Sequence, residues 1–178
     1  MIYEGAPSTH LDSIALTLIE KLKARFRCLY LNSPTMVAGM RSVLAASGLD
    51  LSAEVSRGAL ILSSDQSHLV HGTFDAKRMI AALRGAVHQA LTDGYAGLWA
   101  SGDMTWEFGN EANLSKLFDY ERQLEVCMHD EPALSGVCLY HRNTLPTHAI
   151  DTALATHPAI YLSATLSQFN PHCQCARS

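Results

Sequence analysis

Short apolar runs alternate with amphipathic helical segments along this sequence, and that alternation constrains the fold more than any other feature. Each apolar run is typical of a buried strand, and it is followed by a turn and by apolar residues at helical spacing. The predicted strands are 1–3, 28–31, 59–62, 98–100, 135–140, 159–162 and 165–166. The predicted helices are 11–26, 34–46, 74–91, 110–128 and 147–156. This pattern predicts a three-layer α/β fold, in which a mainly parallel sheet is covered by helices on both faces.

Length and composition narrow the possible classes of protein further. With 178 residues, 48% of them apolar and 17% charged, the chain is long enough for one folded domain and short for two. We expect residues 1–166 to form that domain and residues 167–178 to be a flexible C-terminal tail. The formal net charge of -4 and the lack of a basic cluster argue against direct binding of nucleic acid. No apolar run reaches membrane-spanning length, so a membrane is not an expected partner.

The cysteines indicate a redox compartment. Five are present, an odd number, and three of them lie in apolar segments, which favours free thiols in a reducing, cytoplasmic environment. Near the C-terminus, a compact trio could bind zinc or copper or form an intermolecular disulfide: His172, Cys173 and Cys175. Three ligands on a flexible end rarely close a structural site without a partner chain. We therefore expect neither a metal nor a cofactor.

The first predicted strand is followed by a turn and a helix, which is how a phosphate-binding α/β unit begins. The turn itself does not fit that function. When Gly5 is aligned with the first glycine of GxxxxGK[ST], the positions of the second glycine, the lysine and the hydroxyl residue are taken by His10, Leu11 and Asp12. Without the lysine, and with an acid in place of the hydroxyl, tight binding of a triphosphate is not expected.

The carboxyl ends of parallel strands gather at one edge of the sheet, where open α/β sheets bind their ligands. The segment 97–109, GLWASGDMTWEFG, brings an acid and a tryptophan to that edge just after a buried strand. The segment 140–142 adds a hydroxyl, a titratable ring and a fixed cation, which suit a polar ligand. The predicted ligand-binding residues are Pro7, Ser8, His10, Asn32, Asp65, Asp103, Trp106, Tyr140, His141 and Arg142.

Several of these residues have equally simple structural explanations. Asp103 could cap the next segment while Trp106 is buried, and Arg142 could form a structural ion pair with Glu107 or Glu121. His68 and His71, together with Asp65, could form a metal site, but their spacing is not that of the HExxH-type zinc motifs, which place two ligands on one face of a helix. Ser101 lacks the GxSxG elbow of hydrolases, and no Ser–His–Asp order stands out, so no catalytic residue is predicted.

Motifs along most of the chain resemble the MEDS domain in order and spacing. They are CLYLNSP, GALILSSD, GTFDAKRMIAALRGAVHQALTDGY, AGLWASGDMTWEFG, DYERQLE, CLYHRNTLP and ATHPAIYL, within roughly residues 1–162. The MEDS family is a sensory domain of methanogens and methylotrophs, also found in dichloromethane-responsive regulators. The resemblance implies a RecA/KaiC-like fold that has lost its nucleotide machinery, in agreement with the altered first turn. It further implies a non-catalytic domain that senses hydrocarbon derivatives or related one-carbon and small organic compounds.

This resemblance sets the expectations for partners. The sequence contains no recognisable helix-turn-helix or kinase module, so signalling or transcriptional regulation is expected to pass through a separate partner protein. Relatives of the KaiC type assemble, and a homo-oligomer is expected here. Two alternatives stay open at this point. One is an atypical nucleotide- or cofactor-binding enzyme of RecA/KaiC ancestry, and the other is an oligomeric interaction protein with a vestigial site.

Overall fold

A computed structural model describes residues 1–108, 111–157, 159–163, 166–171 and 173 of the chain. Its strands, in chain order, are β1 (Ile2–Tyr3), β2 (Arg27–Leu31), β3 (Leu60–Ser63), β4 (Leu69–Val70), β5 (Thr73–Phe74), β6 (Leu98–Asp103), β7 (Leu134–His141), β8 (Ala159–Ser163) and β9 (Leu166–Phe169). Its α-helices are α1 (Leu11–Lys23), α2 (Pro34–Ala46), α3 (Leu51–Ser56), α4 (Ala76–Thr92), α5 (Met104–Phe108), α6 (Glu111–Leu114), α7 (Leu117–Asp130) and α8 (Thr147–Thr156). A short 3-10 helix, Pro7–His10, precedes α1.

The centre of the fold is a five-stranded parallel sheet with the strand order β1-β7-β6-β2-β3. Helices α1 and α2 pack on one face of this sheet, and helices α4, α7 and α8 pack on the other, so each face has its own apolar core. The pairs β4–β5 and β8–β9 form separate antiparallel hairpins. The predicted α/β fold, with a mainly parallel sheet between two helical layers, is confirmed.

Local signals in the sequence explain where the longer helices begin. Helix α2 starts at Pro34, and the side chain of Ser33 accepts a hydrogen bond from the backbone N–H of Met36. Helix α4 starts after Asp75, whose side chain accepts a hydrogen bond from the backbone N–H of Arg78. Gly94 follows α4 with a φ of 83°, a left-handed conformation that glycine adopts without strain. The predicted boundaries of α2 and α8 are the observed ones.

Other segments differ from the prediction. The predicted helix 110–128 is divided into α6 and α7. Before it, β6 continues to Asp103, beyond the predicted strand 98–100, and the short helix α5 follows. The predicted loop 66–73 contains the β4–β5 hairpin, in which Phe74 pairs with Leu69, and the following helix therefore starts at residue 76. The predicted turn 49–57 contains α3, which is capped by Asp50. Residues 166–169 form β9, so the predicted tail begins inside a strand.

The topology brings the carboxyl ends of β1, β2, β6 and β7 to the same edge of the sheet. Adjacent strands there lead to helices on opposite faces: β2 leads to α2 on one face, and β6 leads towards α7 on the other. In open α/β sheets such a switch point is the usual place for a ligand. In the described part of the chain, no helix is both long and apolar enough to cross a membrane.

Candidate functional site

Polar and aromatic side chains meet at the carboxyl edge of the sheet in what we call the strand-end cluster: Tyr3, His10, Tyr30, Asn32, Asp103 and His141. The hydroxyl of Tyr3 donates to Oδ2 of Asp103 at 3.4 Å, and its ring stacks on His141 with centroids 5.0 Å apart. Nδ2 of Asn32 donates to the hydroxyl of Tyr30 at 3.0 Å, and Nε2 of His10 lies 3.3 Å from the same hydroxyl. The structure thus brings together four of the predicted site residues, His10, Asn32, Asp103 and His141.

Asp103 uses both of its carboxylate oxygens within the fold. Oδ1 accepts hydrogen bonds from the backbone N–H groups of Thr105 at 2.8 Å and Trp106 at 3.1 Å, and Oδ2 accepts from Tyr3. The two amides belong to the first turn of α5, so the carboxylate acts as a helix cap. This geometry matches the structural explanation that the sequence had left open for this acid.

The strand-end cluster is buried, and its protonation states follow from that. Burial raises the pKa of both Tyr3 and Tyr30, so their hydroxyls keep their protons. Burial also lowers the pKa of His10, an effect that the nearby Asp103 opposes only in part. His10 has no exposed surface, and its Nδ1 atom has no hydrogen-bond partner among the described residues. The cluster is therefore packed from the protein's own side chains.

The other predicted site residues do not join this cluster. Arg142 is exposed and lies 3.2 Å from Glu4, not from Glu107 or Glu121. Tyr140 points to the opposite face of the sheet, where its hydroxyl donates to Glu121. Trp106 is half-buried against the core on the same side as α7. Three further residues are exposed: Pro7, Ser8 and Asp65.

A narrow apolar cavity lies between the sheet and helices α4 and α7. Its walls come mainly from β2, β6, β7 and these two helices, and its apolar lining includes Leu29, Leu31, Met79, Leu83, Leu124 and Met128. The cavity encloses about 40 Å³. Since a water molecule needs about 10–15 Å³ on the same measure, the space suits a molecule of about three non-hydrogen atoms.

Glu107 is the one carboxylate in this lining, and we call the space the Glu107 cavity. Its side chain is buried, Oε2 is hydrogen-bonded to Nε2 of His68, and Oε1 has no partner among the described residues. Burial raises the pKa of Glu107, and the hydrogen bond from His68 opposes this only in part. Apolar walls with a few polar groups are typical of small-molecule sites. Here Ser101, Tyr120 and Cys138 are the other residues of the lining with polar side chains.

Sequence reasoning considered Glu107 only as an ion-pair partner and Tyr120 not at all. One signal for Glu107 was present in the sequence. Met104 and Phe108 are separated by one helical turn, Glu107 lies on the same side of α5, and all three residues are buried. Burying a carboxylate on the apolar side of a helix costs free energy unless the group is paired or hydrogen-bonded. Its partner, His68, lies directly before β4, in the segment 66–73 that was predicted as a loop.

The metal interpretation of the segment 65–71 does not match the geometry. His68 is bonded to Glu107, whereas His71 is exposed with a φ of 51° and Asp65 is exposed. In the predicted tail trio, His172 and Cys175 lie outside the described residues, so that prediction is not tested.

Residues 2–158 match the family described as MEDS, the MEthanogen/methylotroph, DcmR Sensory domain. The matched range includes all five strands of the central sheet and the whole Glu107 cavity. No protein of curated function matches the chain.

Proposed function

The chain belongs to the MEDS family of sensory domains, and we propose that it senses a small, weakly polar organic molecule by binding it in the Glu107 cavity. The chemical class is a hydrocarbon derivative or a related one-carbon compound, and the role is non-catalytic. The observation that carries this proposal is the cavity itself, in which apolar walls surround a buried carboxyl group with one oxygen atom that has no partner in the described part of the chain.

The chemistry of the cavity suits such a ligand. Its size accommodates about three non-hydrogen atoms, as in dichloromethane. Burial raises the pKa of Glu107, and in its protonated form the carboxyl can donate a hydrogen bond to a halogen or oxygen atom. The strand-end cluster offers less, since its side chains bond to one another and Asp103 caps α5. This arrangement also gives no support to the alternative of a nucleotide- or cofactor-binding enzyme.

Helix α7 provides a route from the cavity to the surface. Tyr120, Leu124 and Met128 line the cavity, while Phe118 and Val126 on the same helix are exposed. A ligand that displaces the inner side of α7 also moves its exposed side. This movement changes how a separate signalling partner, or a second copy of the chain, binds to that surface. Cys28, Cys127 and Cys138 are free and buried, which supports the proposed cytoplasmic location.

The binding proposal is tested by titrating dichloromethane into the isotopically labelled protein and following its backbone amide resonances. We expect saturable shifts at residues around the Glu107 cavity. The variant Ala100→Val places two extra methylene equivalents on β6 in the lining and is expected to abolish these shifts. The matched control is Ala38→Val, the same substitution on the exposed side of α2. Shifts that do not saturate, or that persist unchanged in Ala100→Val, would contradict the proposal.

A further inference from the structure

Three metal-ligating side chains from three different elements meet beside β7. Glu121 comes from α7, Cys138 from β7, and His157 from the residue that ends α8. One ligand atom of each lies within 4.8 Å of the other two. We propose that these three residues bind a single divalent transition-metal ion, with Zn²⁺ as the best match. This inference does not rest on the proposed ligand, because the three ligands can hold an ion whether or not the Glu107 cavity is filled.

The ring of His157 is already oriented for coordination. Its Nδ1 atom lies 2.8 Å from the carbonyl oxygen of Ala153, so the ring N–H donates there and the lone pair is placed on Nε2. Metal-binding histidines are commonly fixed in this way by a backbone carbonyl. Nε2 then faces Oε2 of Glu121 at 3.3 Å. Two lone pairs at this distance require a cation between them, either a proton or a metal ion.

The carboxylate of Glu121 is oriented in the same manner. The hydroxyl of Tyr140 donates to its Oε1, which leaves Oε2 directed towards His157. Glu121 is 2% exposed and Cys138 is 8% exposed, so the two anionic ligands that an ion would require are held away from water. A buried carboxylate gains most from a cation that approaches it closely.

The identity of the ion follows from the donor set and from the spacing. Thiolate, imidazole and carboxylate together are typical of Zn²⁺ and of its substitute Co²⁺. Tetrahedral zinc would place such donors about 3.4–3.6 Å apart, as calculated from its usual bond lengths. The separation between Glu121 and His157 already corresponds to this, and side-chain rotation closes the remaining gaps. Three protein ligands leave a fourth position for water or a small ligand.

The position of the site allows an ion to enter. The side chain of His157 is 27% exposed, so the site opens to solvent on that side. His157 also stands at the C-terminal end of α8, where the helix dipole favours a cation. The three ligands do not form a recognisable metal-binding motif in the sequence, because they are separated by irregular intervals and come from three separate elements.

The test uses the full chain, freed of metal and titrated with Co²⁺ and then with Zn²⁺. We expect one Co²⁺ per chain, visible d–d bands of tetrahedral intensity and a near-ultraviolet charge-transfer band from the thiolate. Cys138→Ser should lose the charge-transfer band, and His157→Gln should weaken binding strongly. Tyr140→Phe, which only releases Glu121, should weaken binding by about 10-fold. Zn²⁺ should displace Co²⁺ and raise the melting temperature of the wild type.

Two control variants test whether the thiolate band comes from Cys138 and not from another cysteine. Cys127→Ser removes another buried free thiol outside the trio and should retain the spectrum. The double variant Cys173→Ser, Cys175→Ser removes the cysteines of the C-terminal segment and should also retain it. Circular dichroism verifies the fold of every variant. The proposal is overturned if a folded wild type binds no Co²⁺, or if the thiolate band survives in Cys138→Ser and disappears in the tail variant.

Discussion

At the scale of single residues, Glu107 is the side chain whose placement most needs an explanation. It is 1% exposed, one oxygen is bonded to His68, and the other has no partner among the described residues. Leaving a polar atom unpaired in the interior costs about 1–3 kcal/mol, which a ligand's hydrogen bond would recover. Under the proposed function, a ligand bound in the cavity would therefore stabilise the fold through Glu107.

The raised pKa of Glu107 predicts a specific dependence of stability on pH. Below its ordinary value of 4.5 the carboxyl is protonated in both folded and unfolded states, so its contribution to stability is fully present. As pH rises above 4.5, the unfolded state loses the proton first, and the stability contributed by Glu107 declines until pH passes the folded-state pKa. Glu107→Gln cannot titrate and should lack this decline.

The measurement is urea denaturation of both proteins from pH 4 to pH 8. The free energy of unfolding of Glu107→Gln, relative to wild type, should rise with pH above about 4.5 and then level off. Glu20→Gln, which removes an exposed carboxyl on α1, serves as the control. A difference that falls with pH would mean that the ion pair with His68 dominates over burial, and would contradict the expected direction.

Asp103 shows what the sequence alone can and cannot decide about a residue. The apolar run before it correctly predicted a buried strand that ends near the acid, at the carboxyl edge of the sheet. Whether its carboxylate faces a ligand or its own backbone depends on the turn that follows. That turn directs the N–H groups of Thr105 and Trp106 back to Oδ1, a geometry that hydrophobic periodicity does not encode.

At the scale of elements, the contact between β6 and β7 depends on a residue without a side chain. A Cβ atom at Gly136 would lie 2.2 Å from the carbonyl oxygen of Ala100, which is backbone and cannot move aside. We therefore expect Gly136→Ala to lower the free energy of unfolding by about 3 kcal/mol, because it forces the paired strands apart.

Gly85 offers the matched control on α4. Nothing lies within 4 Å of a Cβ atom added there, and the position is an exposed helix interior. Gly85→Ala should therefore raise the free energy of unfolding by up to about 1 kcal/mol. Urea denaturation measures the free energy of unfolding of both variants. Equal effects, or a tolerated Gly136→Ala, would show that the two strands are not held as closely as described.

The elements also show where sequence reasoning succeeds. Helices α2 and α8 were predicted to the residue, because proline lies at or just before their first turn and the apolar spacing is continuous. The segment 110–128 was predicted as one helix, although it is divided into α6 and α7. Its apolar residues keep helical spacing across the break, so periodicity gives no sign of it. Glu107 lies before this segment, in the short helix α5, which was not predicted.

At the scale of the whole molecule, the sheet separates two apolar cores. One lies under α1 and α2, and the other, which contains the Glu107 cavity, lies under α4, α7 and α8. The strand-end cluster lies at the carboxyl edge of the sheet, and the proposed metal site shares Cys138 with the lining of the cavity. A ligand bound in the cavity should therefore stabilise one side of the molecule more than the other.

Amide hydrogen exchange, measured with and without dichloromethane, tests this asymmetry. Protection should increase in α4, α7 and the β4–β5 hairpin, because these elements line the cavity or hold His68 against Glu107. Exchange in α1 and α2, which pack on the other core, should stay unchanged when local fluctuations dominate. Ala100→Val removes space from the cavity and should show no difference. Protection confined to the loop 4–10 and to residues 142–144 would instead place the ligand at the strand-end edge, where the sequence first predicted it.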